Sequence, residues 1–316
     1  MGNSWSDQVY CFVAHLYTVL RQKVNVYLYG QLTQGPVGLT FDEMNEFVNQ
    51  FHSFVVKRRY GHRLDAPVHE QFQMVIEGAE ALQGDTLVQP CGRPDVEPFV
   101  IPYDQLDLNC NTTNAVSLLL QWFMSNKPRT SNPYSPSRLY LYHEARVNGD
   151  RDSSELVDEG VSFSDVFAVL NLNIPIPDEL EWPYNVKAVN RKPGKYEDLV
   201  YIPFVGVQLK PTLNNLKTCL EKNGPFVAAV SASKEFELHA RYKYDPEEVE
   251  GFQPLMFTHF SEDTKTFTAI NSFGQSWGDR GRVTLHALDL FKDPAFTSSI
   301  YTLVNELDGE EEEKSD

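Results

Sequence analysis

Apolar residues recur at helical spacing in two segments near the N-terminus. Residues 7–23 form the first, and the second begins at Thr40, whose partner Glu43 three residues later completes a capping box. We predict that residues 1–57 form a helical extension. Residues 60–103 are rich in proline and glycine and lack periodicity, which predicts a connector.

Residues 111–127 give the strongest helical pattern of the chain. From Ala115 to Phe123 the segment is apolar nearly all round, which predicts a helix that is central and buried. Three further helices are delimited by proline, serine and glycine signals: SPSRLYLYHEARV with Pro136 near its start, SFSDVFAVLNL capped by Ser162, and TLNNLKTCLEKNGP ending at Gly224.

Short strand-like runs dominate the chain after Gly224. Turn residues separate FVAAVSA, LMFTHF, TFTAINSF and GRVTLHAL, and the acidic stretch KEFELHARYKYDPEEVEGF predicts an irregular loop. Helices that come first and strands that come second favour an α+β protein over a parallel doubly wound sheet. We expect a helical part at about residues 104–200, a mainly antiparallel sheet part at about 200–303, and an acidic disordered tail over 304–316.

The charge of the chain excludes one class of partner. The 316 residues carry a formal net charge of −17, whereas a surface that binds nucleic acid needs Lys and Arg to neutralise phosphates. The four cysteines show neither a metal-binding spacing nor a disulfide framework, which fits a reducing compartment such as the cytoplasm; they are Cys11, Cys91, Cys110 and Cys219. No phosphate loop or metal cluster stands out, so we expect no cofactor and no metal.

The first six residues, MGNSWS, match the pattern for N-myristoylation. Removal of Met1 would expose Gly2, and Ser6 stands at the required position. An ordinary flexible terminus is the alternative interpretation. A single acyl chain binds membranes only marginally, so we expect at most a weak membrane association through Gly2.

Several segments follow one another in an order known from a protein family. They are RRYGHRLDAPVHEQFQ, YDQLDLNCNTTNAV, SPSRLYLYHEAR, DEGVSFSDVFAVL, IPDELEWPYN, KPGKYEDL, INSFGQSWGDRG and KDPAFTSSIYTL. In this order they resemble the papain-like cysteine peptidases, in the non-secreted branch found in microbes and large DNA viruses. The second segment is similar to the family's D-Q-G-x-L-G-S-C-T-A-N-A, and INSFGQSWGDRG is similar to N-S-W-G-x-x-W-G-x-x-G. The resemblance covers about residues 58–303 and implies a two-lobe fold, helical on one side and an antiparallel sheet on the other.

The resemblance also assigns a catalytic group. In the family a Cys thiolate at a helix N-terminus pairs with a His, an Asn orients the His, and a Gln forms the oxyanion hole. By this resemblance Gln105 stands at the oxyanion position and Asn271 at the orienting position. Asn111 stands at the nucleophile position and Gln253 at the base position. The resemblance therefore implies a homologue that lacks the reactive pair.

Three further positions differ from the family pattern. Leu106, Asn109 and Phe252 replace glycines, which allow close approach of substrate and backbone. A filled and narrowed cleft is the expected consequence.

Three functions remain open at this point. The first is a catalytically inactive homologue that serves as a structural or protein-binding component, in the cytoplasm or in a virus particle. The second is a regulator that still holds a peptide in the old cleft. The third is an active endopeptidase that uses Cys110, one residue before the nucleophile position, with His239 or His259 as its base.

Overall fold

The computed structural model describes residues 59–65, 74, 100–125, 134–149, 157–172, 174–189 and 199–305. The predicted N-terminal extension of residues 1–57, which contains Gly2, lies outside the described residues. Residues 306–316 of the predicted acidic tail lie outside them as well. No helix of the described ranges is long and apolar enough to span a bilayer.

Three long helices come first in the described chain. They are α1 (Asn111–Ser125), α2 (Arg138–Gly149) and α3 (Phe163–Asn171). Helix α1 has 13 buried residues out of 15, so it lies in the interior on nearly every side, as its apolar pattern predicts. Ser162 begins α3 with a capping box, in which its hydroxyl accepts the N–H of Asp165 and the Asp165 carboxylate accepts the N–H of Ser162.

Strands dominate the second half of the chain. A small ladder comprises β1 (Ile176–Pro177) and β2 (Leu199–Val200). The main sheet comprises β3 (Phe204–Gln208), β4 (Phe226–Ala232), β5 (Gly251–Ser261), β6 (Thr266–Ile270), β7 (Arg282–His286) and β8 (Ile300–Asn305). Short helices join these strands: α4 (Leu213–Thr218, continued by a π-helical turn over Cys219–Asn223), α5 (Lys234–His239), α6 (Ala287–Leu290) and α7 (Pro294–Ser298).

The strand order in the main sheet is β3-β8-β4-β5-β6-β7, and every neighbouring pair is antiparallel. The last strand of the described residues, β8, therefore lies between β3 and β4. Tyr301 of β8 pairs with Gln208 on one side and with Val227 on the other. This sheet, together with the helices before it, confirms the predicted α+β class.

Strand β4 separates two apolar cores. Val227 and Ala229 belong to the core around α1, whereas Ala228 and Val230 belong to the core on the opposite face of the sheet. Successive side chains of a strand point to opposite faces, so a strand covered on both faces has to be apolar throughout. This requirement explains the apolar run from Phe226 to Val230, and the buried Ser231 that follows donates its hydroxyl proton to Asp293.

The structure corrects two predictions from the sequence and adds a contact to a third. The stretch predicted as an irregular loop contains helix α5, which begins where the hydroxyl of Ser233 accepts the N–H of Phe236. The predicted connector contributes to the fold, because Met74 forms a parallel bridge with Leu209. Strand β8 continues to Asn305, so the first two residues of the predicted tail belong to the sheet.

A largely buried cation connects α2 with α1 and the segments beside it. Arg138 pairs with Glu179, and its guanidinium lies 4.1 Å from the ring centroid of Tyr103 and 3.8 Å from that of Tyr184. It also donates to Oδ1 of Asn114 on α1, at 2.9 Å. The position of α1 therefore depends on a cation that is held between two aromatic rings and paired with a carboxylate.

We expect the change Arg138→Gln to lower the free energy of unfolding by about 3–5 kcal/mol, because it leaves the largely buried carboxylate of Glu179 uncompensated. The side chains of this pair are 8% and 18% exposed. The matched control is Arg241→Gln, which removes an ion pair with Glu235 whose side chains are 79% and 59% exposed. That change should cost about 0–1 kcal/mol. Equal losses for the two variants in urea unfolding would contradict a structural role for Arg138.

Candidate functional site

Four side-chain amides meet where α1 begins against the sheet. Asn111 is the first residue of α1, and Gln105 lies in the segment that leads to it. Gln253 is on β5, and Asn271 follows directly after β6. All four side chains are fully buried. The structure thus brings together the four residues that the sequence analysis selected, while their correspondence with the family's catalytic positions stays a prediction.

The sheet positions Gln105 through main-chain contacts. The N–H of Gln105 donates to the carbonyl of Ser272 at 2.9 Å, and Asp104 forms an antiparallel bridge with Phe273. Leu106 follows with a φ of 54°, which is a left-handed conformation that favours glycine. By the resemblance in sequence the family has a glycine at this position, and a glycine adopts this conformation more readily than a leucine does.

Gln253 is the centre of the group. Its Nε2 donates to Oδ1 of Asn271 at 2.8 Å, to Oγ of Ser272 at 3.0 Å and to Oε1 of Gln105 at 3.2 Å. Its Oε1 accepts a hydrogen bond from Nδ2 of Asn111, also at 3.2 Å. An amide nitrogen carries two protons, so one of them is shared between two acceptors. Gln253 therefore connects the helix start, the segment before it and the turn after β6.

Asn111 uses both of its amide protons. Its Nδ2 donates to Oε1 of Gln253 and to the carbonyl of Phe252, each at 3.2 Å, and its Oδ1 accepts the N–H of Thr112 at 3.0 Å. Phe252 packs against the apolar core around α1. The first residue of the helix is thus a neutral and fully paired amide, which has no proton to lose or gain near neutral pH.

Asn271 holds Gln253 from the sheet side. Its Oδ1 accepts from Nε2 of Gln253 and from the N–H of Ser272, the latter at 2.7 Å. Its Nδ2 is buried and has no hydrogen-bond partner in the part of the chain that the structure describes. Phe273 and Trp277 are both buried and pack edge to face, with ring centroids 5.4 Å apart. These rings fill the core beside the site.

Cys110 is hydrogen bonded as a thiol. Tyr184 donates its hydroxyl proton to the carbonyl of Gln105 at 2.7 Å, so the thiol is the donor in its 2.8 Å contact with Tyr184. Nδ2 of Asn114 donates to the sulfur at 3.2 Å. Burial raises the pKa of Cys110 to about 12, so only about one thiol in 10⁵ is ionised at pH 7. No histidine of the described ranges, including His239 and His259, forms a hydrogen bond with it.

His62 lies against the first turn of α1. Its Nδ1 is 3.1 Å from the hydroxyl of Thr112, which donates its own proton to the carbonyl of Val161. Nδ1 is therefore the protonated nitrogen, and Nε2 is buried without a partner among the residues described. The ring packs on Phe163 with centroids 4.8 Å apart. Burial lowers the pKa of His62 to about 3, so the imidazole is neutral at neutral pH.

The described residues show no evident set of metal ligands at this site. The described residues contain no group of three or more His, Cys, Asp or Glu side chains that could hold a metal ion. The polar groups at the helix start are amides and hydroxyls, which bind through hydrogen bonds and remain uncharged.

The fold and the site can be compared with known proteins. No family model matches the sequence, and no curated protein matches it. Solved structures do match. Xylellain, a cysteine protease from Xylella fastidiosa, has a TM-score of 0.61 and 19% identity, and the match covers 79% of this chain and 97% of xylellain.

Two proenzyme structures are similar to this chain as well. Procathepsin L2 from the larval midgut of Tenebrio molitor has a TM-score of 0.59 and 16% identity, with coverage of 96% of this chain and 95% of that one. Procathepsin B S9 from Trypanosoma congolense has a TM-score of 0.55 and 14% identity, with coverage of 85% and 99%. The fold is that of the papain-like cysteine proteases. At these identities the likeness shows the fold alone.

The sequence analysis missed three side chains that build the site. Ser272 donates to Oε1 of Gln105 at 2.6 Å, and its place beside Asn271 in INSFG was the only sequence signal for it. Tyr184 and His62 reach the helix start from segments far away in the chain. Local patterns contain no information about such long-range contacts.

We expect Gln253→Met to lower the free energy of unfolding by about 2–4 kcal/mol. Methionine has a similar length but can neither donate nor accept as an amide does, so Asn111 and Asn271 each lose a buried partner. The matched control is Gln208→Met on edge strand β3, where a buried Gln donates to the carbonyl of Ser298. That loss should be about 1 kcal/mol. Chemical denaturation measures both, and a loss for Gln253→Met no larger than the control would contradict the central position of Gln253.

Acid should destabilise the wild-type protein through His62. The unfolded chain binds a proton near the ordinary pKa of 6.5, whereas the folded chain does so only near about 3. Stability is therefore lost as the pH falls through this window, by up to about 1.4 kcal/mol per pH unit. His62→Gln removes the titrating group, so the difference in unfolding free energy between wild type and variant should shrink from pH 6 to pH 4. Parallel stability curves over this range would show that the imidazole is not buried in its neutral form.

Proposed function

We propose that the protein is a catalytically inactive member of the papain-like structural class, acting as a structural or protein-binding component. The observation that carries this proposal is the hydrogen bond between Nδ2 of Asn111 and Oε1 of Gln253. The resemblance in sequence assigns these two positions to the nucleophile and the base. In this protein two neutral amides stand there and satisfy each other.

The chemistry of these side chains explains why we expect no turnover. A carboxamide offers no thiolate for attack on a carbonyl, and it does not accept a proton at neutral pH. Removal of the reactive set from related hydrolytic sites leaves only about 10³–10⁴-fold acceleration over water. The supporting groups Gln105 and Asn271 retain their hydrogen bonds without a reactive pair to support.

An active peptidase that uses Cys110 is the alternative, and the contacts of this thiol argue against it. Cys110 has no solvent exposure and donates its proton to Tyr184. Its pKa is raised to about 12, whereas a nucleophilic cysteine needs a lowered pKa and access to substrate.

The class of binding partner and the cellular location are predicted from the sequence alone. We expect a protein or peptide partner and no nucleic acid, because the net charge is −17. The expected location is the cytoplasm, with a virus particle as the alternative. A weak membrane association would require acylation of Gly2.

The purified full-length protein should show no peptidase activity. We expect no cleavage of a broad peptide substrate under reducing conditions and no labelling of Cys110 or Cys219 by an epoxide-type thiol trap, because both of these thiols are buried. The single change Asn111→Cys should also give no activity, since Gln253 cannot generate a thiolate. Rates of peptide cleavage and the mass of the trapped protein are the measurements.

The control is Cys110→Ala, which removes the cysteine that lies next to Asn111 in the sequence. If the wild type cleaves the substrate and Cys110→Ala does not, the protein is an enzyme with a displaced nucleophile. Cleavage that persists in Cys110→Ala would point to another catalytic group and would equally overturn the proposal.

A further inference from the structure

The outer edge of β3 is bonded to a side chain of helix α3. Strand β3 is the first strand of the main sheet in spatial order, so only one of its edges pairs with β8. On the other edge the N–H of Gly206 donates to Oδ1 of Asn171 at 2.7 Å, and Nδ2 of Asn171 donates to the carbonyl of Gly206 at 3.3 Å. A residue of an adjacent strand also offers one acceptor and one donor. The carboxamide of Asn171 therefore replaces one residue of such a strand.

Asn171 reaches the strand because α3 packs closely on it. Phe167 lies one turn before Asn171 on α3, so the two side chains project from the same face of the helix. A Cβ atom on Gly206 would lie 2.0 Å from the ring of Phe167, so this close approach requires a strand residue without a side chain. The ring of Phe167 also stacks on Tyr301 of β8, with centroids 4.8 Å apart. The packing of Phe167 on the sheet thus places Asn171 at the strand edge.

A second contact lies further along the same edge. Gln208 comes two residues after Gly206, so its main-chain groups point to the same side of the strand. Its carbonyl accepts the N–H of Met74 at 2.8 Å, and the N–H of Lys210 donates to the carbonyl of Met74 at 3.0 Å. Asn171 and Met74 therefore take up two successive pairing positions of β3.

Without Asn171, β3 would be a good template for another strand. Its sequence FVGVQ contains aromatic and β-branched residues but neither a charged residue nor a proline, which are the usual means of protecting a sheet edge. Phe204 and Gly206 are its outward-facing positions before the contact with Met74. An antiparallel second copy would pair Phe204 of each chain with Gly206 of the other, and Val205 would face its own counterpart. This pairing is self-complementary.

We propose that Asn171 blocks the edge of β3 against pairing with a second copy of this chain. Its carboxamide makes the two hydrogen bonds that the other strand would make at Gly206, and it occupies the space in which that strand would lie. Because the block is supplied by a side chain of α3, the edge needs no charged residue of its own. The inference concerns α3 and β3 and holds whether or not the amide site is catalytic.

The change Asn171→Ala tests the proposal through the oligomeric state of the full-length chain. We expect the variant to form a species of twice the wild-type mass, in a proportion that rises with protein concentration, because the edge of β3 is then open. Sedimentation velocity of the variant and the wild type at equal concentrations measures this.

The matched control is Asn185→Ala. Asn185 is also exposed, and its side chain accepts the N–H of Lys187 at 3.0 Å, so the change removes a main-chain hydrogen bond at a helix start and leaves the strand edges intact. We expect no change in mass. Equal mass distributions for Asn171→Ala and the wild type, or the same gain in mass for Asn185→Ala, would overturn the proposal.

A second substitution shows whether the gain in mass arises at β3. Val205 is partly exposed and would lie opposite Val205 of the other copy, so Val205→Lys places two ammonium groups against each other. We expect the double variant Asn171→Ala, Val205→Lys to return to the wild-type mass. A doubled mass that persists in this variant would contradict pairing through β3.

Hydrogen exchange at Gly206 tests the contact itself and leaves the sequence of β3 unchanged. We expect Asn171→Ala to raise the exchange rate of the Gly206 N–H by at least about tenfold in dilute solution, because this N–H loses its acceptor. Protection should return at concentrations where the species of doubled mass predominates. Exchange that is equally slow in dilute Asn171→Ala and in the wild type would disprove a block by Asn171.

Discussion

The hydrogen bond between Asn111 and Gln253 connects the first turn of the buried helix with the central strands of the sheet. A polar side chain is tolerated in such an interior only when it is paired, so the helix, the segment at Gln105 and the turn at Asn271 have to be placed together. The pair is neutral. It therefore avoids the desolvation cost of an ion pair, which amounts to several kcal/mol per buried ion.

The need to pair buried polar groups also explains why the main chain at Arg59 lies against Gln105. Gln105 has to satisfy two amide protons in a dry environment, and the carbonyl of Arg59 supplies one of the acceptors. His62, which lies three residues after Arg59, is buried in its neutral form because burial lowers its pKa. The titratable Cys110 is likewise held in its neutral form. The groups around the helix start are thus arranged to remain uncharged, which is the opposite of what thiolate chemistry requires.

Sequence reasoning succeeded where a single segment contains the whole signal. The all-round apolar run predicted α1, the short strand-like run FVAAVSA predicted β4, and Ser162 predicted the start of α3. The residues of the amide site came from the resemblance to the papain-like family. The rest depends on long-range contacts. Helix α5 is too short to have a clear period, and the acceptor at Arg59 is a main-chain oxygen, which no residue type reveals.

The position of β8 in the sheet has a consequence for synthesis of the chain. Strand β8 is the last strand of the described residues and pairs with β3 and β4, so the edges of these two strands that face β8 stay unpaired until β8 is synthesised. Strand β4 is apolar on both faces, and an exposed apolar edge promotes association with other chains. We therefore expect a nascent chain that still lacks β8 to associate with other chains more readily than the finished one. A cut in the chain before Ile300 would make this vulnerable state permanent.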